Sequence, residues 1–188
     1  MTITINLLDD STRPKAPRIE GATHAQRLQG RRLAMIHEMH LRQMGQVRQA
    51  MEHVAAGEKG AGEELGQALS ALDMRHNYRA FGNICGQECG MLTAHHTIED
   101  RYIFPALAEQ GSEGLRKVVE RLMAEHEIIH QLIERMEEAA VDAMNEPGPT
   151  TFAPLREAFE ALERFVVSHF GYEQEELEEA LGYHQIDM

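Results

Sequence analysis

Apolar residues recur at alternating steps of three and four along four stretches of the chain, which is the spacing of one buried face of an α-helix. The pattern predicts helix A over about 26–56 and helix B over about 75–104. Helix C follows a predicted cap at Ser112, and helix D follows a predicted cap at Thr150 or Thr151. Since no long strand-like alternation occurs, the fold class is predicted to be all-α.

Short connections between long helices favour antiparallel neighbours. We therefore predict an up-down-up-down antiparallel four-helix bundle over residues 26–182, with a linker at 145–150. Residues 1–25 are predicted to be a weakly ordered N-terminal arm, because Pro14 and Pro17 interrupt regular structure there.

Histidine and glutamate occupy positions on the predicted inward faces, where apolar residues are expected. They are His37 and His40 on helix A, His95 and Glu99 on helix B, His126 and His130 on helix C, and His169 and Glu173 on helix D. Residues four apart lie above one another on a helix, so each pair can face one ligand. Unsatisfied burial of this set would cost more than the ~5–15 kcal/mol that typically stabilises a domain. Bound metal ions would use the lone pairs, and carboxylates that bridge two ions favour a dinuclear centre with an open position for a small molecule such as O2.

Composition narrows the function further. The 188-residue chain has a formal net charge of −13 and no dense run of Lys and Arg, which argues against nucleic-acid binding. No apolar run approaches the ~20 residues of a membrane helix, so no membrane partner is expected. Cys85 and Cys89 are too few for a disulfide scaffold, which favours a reducing cytoplasm. They are interpreted as small packing residues, with a redox pair as the alternative.

Three segments resemble the hemerythrin-like family, also called the HHE cation-binding domain. They are residues 95–107 (HHTIEDRYIFPAL), 124–129 (AEHEII) and 169–173 (HFGYE). The resemblance covers about residues 27–181. It implies a four-helix bundle that holds two iron ions in an oxo- or hydroxo-bridged diiron centre.

The resemblance also implies the ligand set, with Glu99 and Glu173 as the bridging carboxylates. The metal ligands implied are His37, His95, Glu99, His126, His130, His169 and Glu173. His37 is the preferred ligand from helix A, and His40 is an alternative or additional ligand. His96 is expected to be an interhelical or surface residue.

Two functions remain open from the sequence. The first is a diiron protein that binds O2, nitric oxide or peroxide for storage, sensing or detoxification, which a histidine-rich ligand set favours. The alternative is a diiron oxidoreductase with peroxidase, catalase or nitric-oxide-processing activity, with an electron donor as a further partner. The sequence does not predict an oligomeric state.

Overall fold

A computed structural model describes residues 9–57, 87–146 and 148–186, with side chains from residue 92 onward in the second range. Its elements are a 3₁₀ turn Asp10–Thr12, α1 His24–Gly30, α2 Arg32–Ala55, α3 Gln87–Ile98, a π-helical turn Glu99–Ile103, α4 Phe104–Gln110, α5 Glu113–Asn145 and α6 Pro149–Tyr183. No strand occurs in these ranges. Cys85, the side chain of Cys89 and the start of predicted helix B lie outside the described residues.

The chain forms two compact units. Over the described residues, unit 1 consists of 9–38, 95–129 and 166–186, and unit 2 consists of 39–57, 87–94 and 130–165. Helices α2 and α5 begin in unit 1, whereas α4 and α6 end in it. This alternation is the chain course of an up-down-up-down bundle, and the predicted all-α fold class is confirmed.

The core of unit 1 is formed by apolar side chains from α2, the π turn, α4, α5 and α6. Its buried members are Leu33, Ile103, Phe104, Leu107, Leu115, Val118, Val119, Leu122, Tyr172, Leu177, Ala180 and Leu181. The four residues from α5 follow the helical period, so one face of that helix is buried.

Unit 2 buries apolar side chains of α2, α5 and α6 that recur at helical spacing. Among the buried residues are Met44, Val47, Met51, Ile133, Met136, Leu155, Phe159 and Leu162. An ion pair between Arg48 and Glu163, with N and O atoms 3.5 Å apart, joins α2 to α6 in this unit.

Predicted helix A is two helices, α1 and α2, which meet at Arg31. A capping box formed by Thr23 and Gln26 starts α1, because the Gln26 N–H donates to Thr23 Oγ1 and the Gln26 side chain accepts from the Thr23 N–H. Gly30 ends α1 against the backbone carbonyl of Glu178 in α6, where a Cβ atom would collide. This close approach sets how tightly α1 packs on α6.

The predicted caps of helices C and D have different outcomes. Ser112 caps α5, because its Oγ accepts from the Leu115 N–H at 3.2 Å, so that prediction is confirmed. The predicted Thr150 or Thr151 cap of α6 is wrong, because the helix begins at Pro149. Proline suits the first helical turn, since its fixed φ is already helical and its missing N–H has no helical partner to lose.

The N-terminal arm lies along α6 over part of its length. The Tyr172 hydroxyl donates to the Pro14 carbonyl at 2.8 Å, and the Ile19 N–H donates to Glu179 at 2.8 Å. These contacts attach residues 9–23 to unit 1, while the division into arm and bundle domains stays a prediction. Among the described helices, none has the length and apolar character needed to cross a membrane.

Candidate metal centre

Unit 1 gathers seven side chains with metal-binding atoms into two groups. The mixed group consists of His37, His95, Glu99 and Glu173, and the three-histidine group consists of His96, His126 and His169. Within each group, one nitrogen or oxygen atom per residue lies within 4.8 Å of all the others. Six of the seven side chains are at most 1% exposed, and His95 is 9% exposed.

A π-helical turn sets which residues of the α3–α4 segment face inward. The Phe104 N–H donates to the Glu99 carbonyl five residues earlier, which is the bond of a π turn. Pro105 follows directly, and a proline ring disfavours a regular helical turn before it. The turn shifts the inward position by one residue. Regular helical spacing from Glu99 would place Tyr102 on the inward face, but Tyr102 is 69% exposed, whereas Ile103 is 5% exposed.

His96 lies in the three-histidine group, although the sequence analysis did not assign it as a metal ligand. It was expected to be an interhelical or surface residue, and the structure buries it completely. Its ring stacks on that of His126 in α5, with ring centroids 4.0 Å apart, so the interhelical alternative is the correct one. The adjacent pair His95 and His96 therefore serves both groups from one helix.

Two carboxylates fix the ring orientation in the three-histidine group. His126 Nδ1 lies 2.8 Å from Asp100 Oδ1, and His169 Nδ1 lies 3.0 Å from Glu125 Oε2. An ionised carboxylate only accepts hydrogen bonds, so each Nδ1 carries a proton, and in the neutral ring each Nε2 then has a lone pair. These two Nε2 atoms are 3.1 Å apart, an arrangement that is repulsive for neutral rings unless a proton or a metal ion lies between them.

Burial lowers the pKa of His126, although the hydrogen bond from its ring to Asp100 opposes the shift. The neutral form of an imidazole is the form that binds metals. This environment therefore favours the metal-binding state of His126.

The mixed group repeats this convergence of ring nitrogens. His37 Nε2 is 3.1 Å from His95 Nε2, and His37 Nδ1 contacts the side-chain amide of Gln174 at 2.8 Å. Phe170 stacks face to face on the His37 ring, with centroids 3.8 Å apart and an interplanar angle of 3°. The imidazole is thus held in place by an amide on one edge and an aromatic ring on one face.

Glu99 faces both groups. Its Oε1 is 3.2 Å from His95 Nε2, and its Oε2 is 3.5 Å from His126 Nε2. Neither oxygen has a hydrogen-bond partner in the described part of the chain. Burial, followed by the nearby charge of Glu173, raises the pKa of Glu99 well above its usual range.

Glu173 also faces both groups. Its Oε2 is 3.3 Å from His37 Nε2 and 3.7 Å from His169 Nε2. Burial alone would raise its pKa, but the neighbouring imidazoles outweigh that effect and lower it. Opposite pKa shifts in two adjacent buried carboxyl groups mean that one of them is protonated more readily than the other when no cation balances their charge.

Three observations indicate that these residues suit a metal site. All seven donors are imidazole nitrogens or carboxylate oxygens, which suit first-row transition metals. Both oxygens of Glu99 are buried without a hydrogen bond in the described residues. The ring nitrogens converge with their lone pairs, and a bound cation would satisfy these atoms together.

The structure brings six of the sequence-predicted ligands into the two groups, namely His37, His95, Glu99, His126, His169 and Glu173. His130 and His40 belong to unit 2 and to neither group. His40 is buried at 3% exposure, and His130 is partly exposed. Their roles as metal ligands stay predictions.

Sequence reasoning did not assign the residues that orient the ligands. Asp100 and Glu125 each adjoin a ligand in the chain, and that adjacency was the available signal. Glu125, however, precedes His126 and bonds His169 on another helix, so sequence adjacency pointed to the wrong histidine.

Comparison with known proteins agrees with this geometry. The hemerythrin HHE cation-binding domain matches residues 29–181, a segment that contains all seven side chains of the two groups. No curated protein matches the chain significantly, and neither does any solved structure. The match confirms the resemblance found in the sequence, and the chain belongs to the hemerythrin HHE cation-binding domain family.

Proposed function

We propose that unit 1 binds two iron ions side by side and uses them to bind O2, nitric oxide or peroxide reversibly, for storage, sensing or detoxification. One observation carries the proposal: each of the two buried glutamates faces a histidine of both groups. A carboxylate shared between two sets of imidazoles favours two ions over one. A single ion would leave part of this donor set unsatisfied and buried.

The two groups divide the imidazoles unequally. His37 and His95 would bind one ion, and His96, His126 and His169 would bind the other, while Glu99 and Glu173 would bind both. In this assignment His96 takes the place that the sequence analysis gave to His130. The ion with two imidazoles would have fewer protein donors, so the small ligand would bind on that side.

A bound iron pair would supply reversible electron transfer toward a small oxidising ligand. The protein's own contribution is to orient the imidazoles and to exclude water from the centre. Asp100 and Glu125 orient the rings of His126 and His169, whereas burial favours the neutral form of His126 and excludes water. A ligand set with five imidazoles and two carboxylates favours binding over strongly oxidising chemistry.

Metal analysis of matched variants tests the site. Wild-type protein loaded with ferrous iron should retain two irons per chain after desalting. Glu99→Gln and His126→Ala should retain well below two, because each removes donors from a buried set. Glu127→Gln is the control, since Glu127 adjoins His126 but is exposed, and it should retain two. Full iron content in both site variants would refute the assignment.

The optical spectrum tests the activity. The iron-loaded protein is reduced without oxygen, and O2, nitric oxide or peroxide is then admitted. A new visible band that disappears when the ligand is removed supports reversible binding. Continuous consumption of peroxide or nitric oxide would instead establish the oxidoreductase alternative.

A further inference from the structure

Arg13 on the N-terminal arm binds the buried carboxylate of Glu125 through two nitrogen donors on one edge of its guanidinium group. Its Nε donates to Glu125 Oε1 at 2.9 Å, and its Nη2 donates to Glu125 Oε2 at 3.0 Å. Glu125 has no exposed surface, and the Arg13 side chain is 12% exposed. A bidentate pair of this kind fixes the plane of the carboxylate as well as its charge.

The same carboxylate holds a candidate metal ligand. Glu125 Oε2 accepts from His169 Nδ1 at 3.0 Å, and Arg121 donates to Glu125 Oε1 at 2.7 Å. Arg13 is therefore linked to the ring of His169 through a single residue, Glu125. Of the two arginines, Arg121 lies on the same helix as Glu125, whereas Arg13 comes from a distant part of the chain.

Further contacts hold the arm in the position that this arrangement requires. Arg121 donates to Thr12 Oγ1 at 3.1 Å and to the Asp9 carbonyl at 2.9 Å. Arg13 Nη1 donates to Ser168 Oγ at 2.9 Å, directly beside His169. The guanidinium also lies 4.7 Å from the centre of the Tyr172 ring. Arg13 thus has little freedom to leave Glu125 while the arm is docked.

We propose that Arg13 is a positioning residue for the metal centre. Acting through Glu125, it keeps the proton of His169 on Nδ1 and directs the Nε2 lone pair to the other ligands. The N-terminal arm is accordingly part of the metal site, although its described residues belong to neither group of candidate ligands. The relevance to metal binding rests on the proposed function, whereas the effect on the His169 proton does not.

Long-range ¹H–¹⁵N spectra of histidine-labelled, metal-free protein report which ring nitrogen carries the proton. Wild-type His169 should show the Nδ1–H form. Arg13→Ala should give a mixture of Nδ1–H and Nε2–H forms, and Arg13→Lys should give a smaller change because it keeps the charge but loses the bidentate geometry. Lys15→Ala is the control, since Lys15 is on the same arm, is 77% exposed and forms an ion pair with exposed Glu175.

Titration of each metal-free variant with Co²⁺, monitored by the visible absorption of the bound ion, measures how the substitution changes metal affinity. Arg13→Ala should weaken binding about tenfold, near the lower end of the loss seen when a hydrogen-bond partner of a ligand is removed. Lys15→Ala should bind like the wild type.

The outcomes separate this inference from the proposed function. A His169 spectrum in Arg13→Ala that matches the wild type would overturn the inference. If Arg13→Ala does not fold, Arg13→Lys decides, and a wild-type spectrum with wild-type Co²⁺ affinity in that variant overturns it as well. Wild-type protein that binds no metal would refute the proposed function, while a redistributed His169 proton in the Arg13 variants would still support the positioning role.

Discussion

Substituting glutamine for Glu125 removes the charge of a fully buried carboxylate that accepts hydrogen bonds from Arg13, Arg121 and His169. Burial alone would raise the pKa of Glu125, but its hydrogen bonds with His169, Arg13 and Arg121 outweigh burial and lower it from 4.5 to about 2. A depression of that size corresponds to at most about 3.4 kcal/mol of stability at pH 7. Because both arginine side chains keep some contact with solvent, we expect Glu125→Gln to destabilise the metal-free protein by about 2–3 kcal/mol.

The contribution of Glu125 depends on pH in a defined direction. A carboxyl group whose folded pKa is lowered stabilises the fold above its unfolded pKa, and the stabilisation is lost as pH falls toward the folded value. With pKa values of 4.5 unfolded and about 2 folded, the maximum contribution falls from about 3.4 kcal/mol at pH 7 to about 2.0 kcal/mol at pH 3.5. The stability difference between wild type and Glu125→Gln should shrink accordingly.

Urea unfolding of both metal-free proteins at pH 7 and pH 3.5 measures these differences. Glu179→Gln is a suitable control, because Glu179 also binds the arm and an arginine but is 20% exposed, and it should cost no more than about 1 kcal/mol. The reasoning fails if Glu125→Gln unfolds within about 0.5 kcal/mol of the wild type at pH 7. It also fails if the difference is the same at both pH values.

Two further predictions concern packing and metal release. Gly30→Ala should destabilise the protein by more than about 2 kcal/mol in thermal unfolding, because its Cβ would collide with the Glu178 carbonyl. The control is Gly45→Ala, whose Cβ would meet only a side-chain atom at 3.8 Å, and it should be neutral or stabilising by up to about 1 kcal/mol. Equal stability of the two glycine variants would contradict the close approach of α1 to α6. Lowering the pH should release iron, since protonation removes the imidazole lone pairs, and an iron content unchanged down to about pH 4 would contradict coordination by histidine, whose reference pKa is near 6.5.

The ligands on regular helices could be found from the sequence. In α6, His169 and Glu173 are four residues apart on a stripe that continues through Val166 and Leu177, and all four are buried. Their local geometry is that of an unbroken α-helix, so spacing alone placed both side chains on the inward face. His95 and Glu99, also four residues apart, lie together in the mixed group.

The argument from helical spacing fails at the π turn. Helical spacing continued past Glu99 predicts an inward Tyr102, yet the wider turn exposes Tyr102 and buries Ile103 in its place. The sequence contained a cause, Pro105, but a proline can end, kink or widen a helix. Which of these occurs depends on how the neighbouring helices pack against it.

The sequence by itself determined that these stretches are helical and which imidazole and carboxylate pairs share one helix face, because both depend on residues within one turn of each other. Tertiary structure decided which histidines from different helices meet, including the inclusion of His96, and which charged groups orient them. Arg13 and Glu125 are 112 residues apart in the chain. No local period relates positions that distant, and only the folding of the arm onto the bundle brings the guanidinium to the carboxylate.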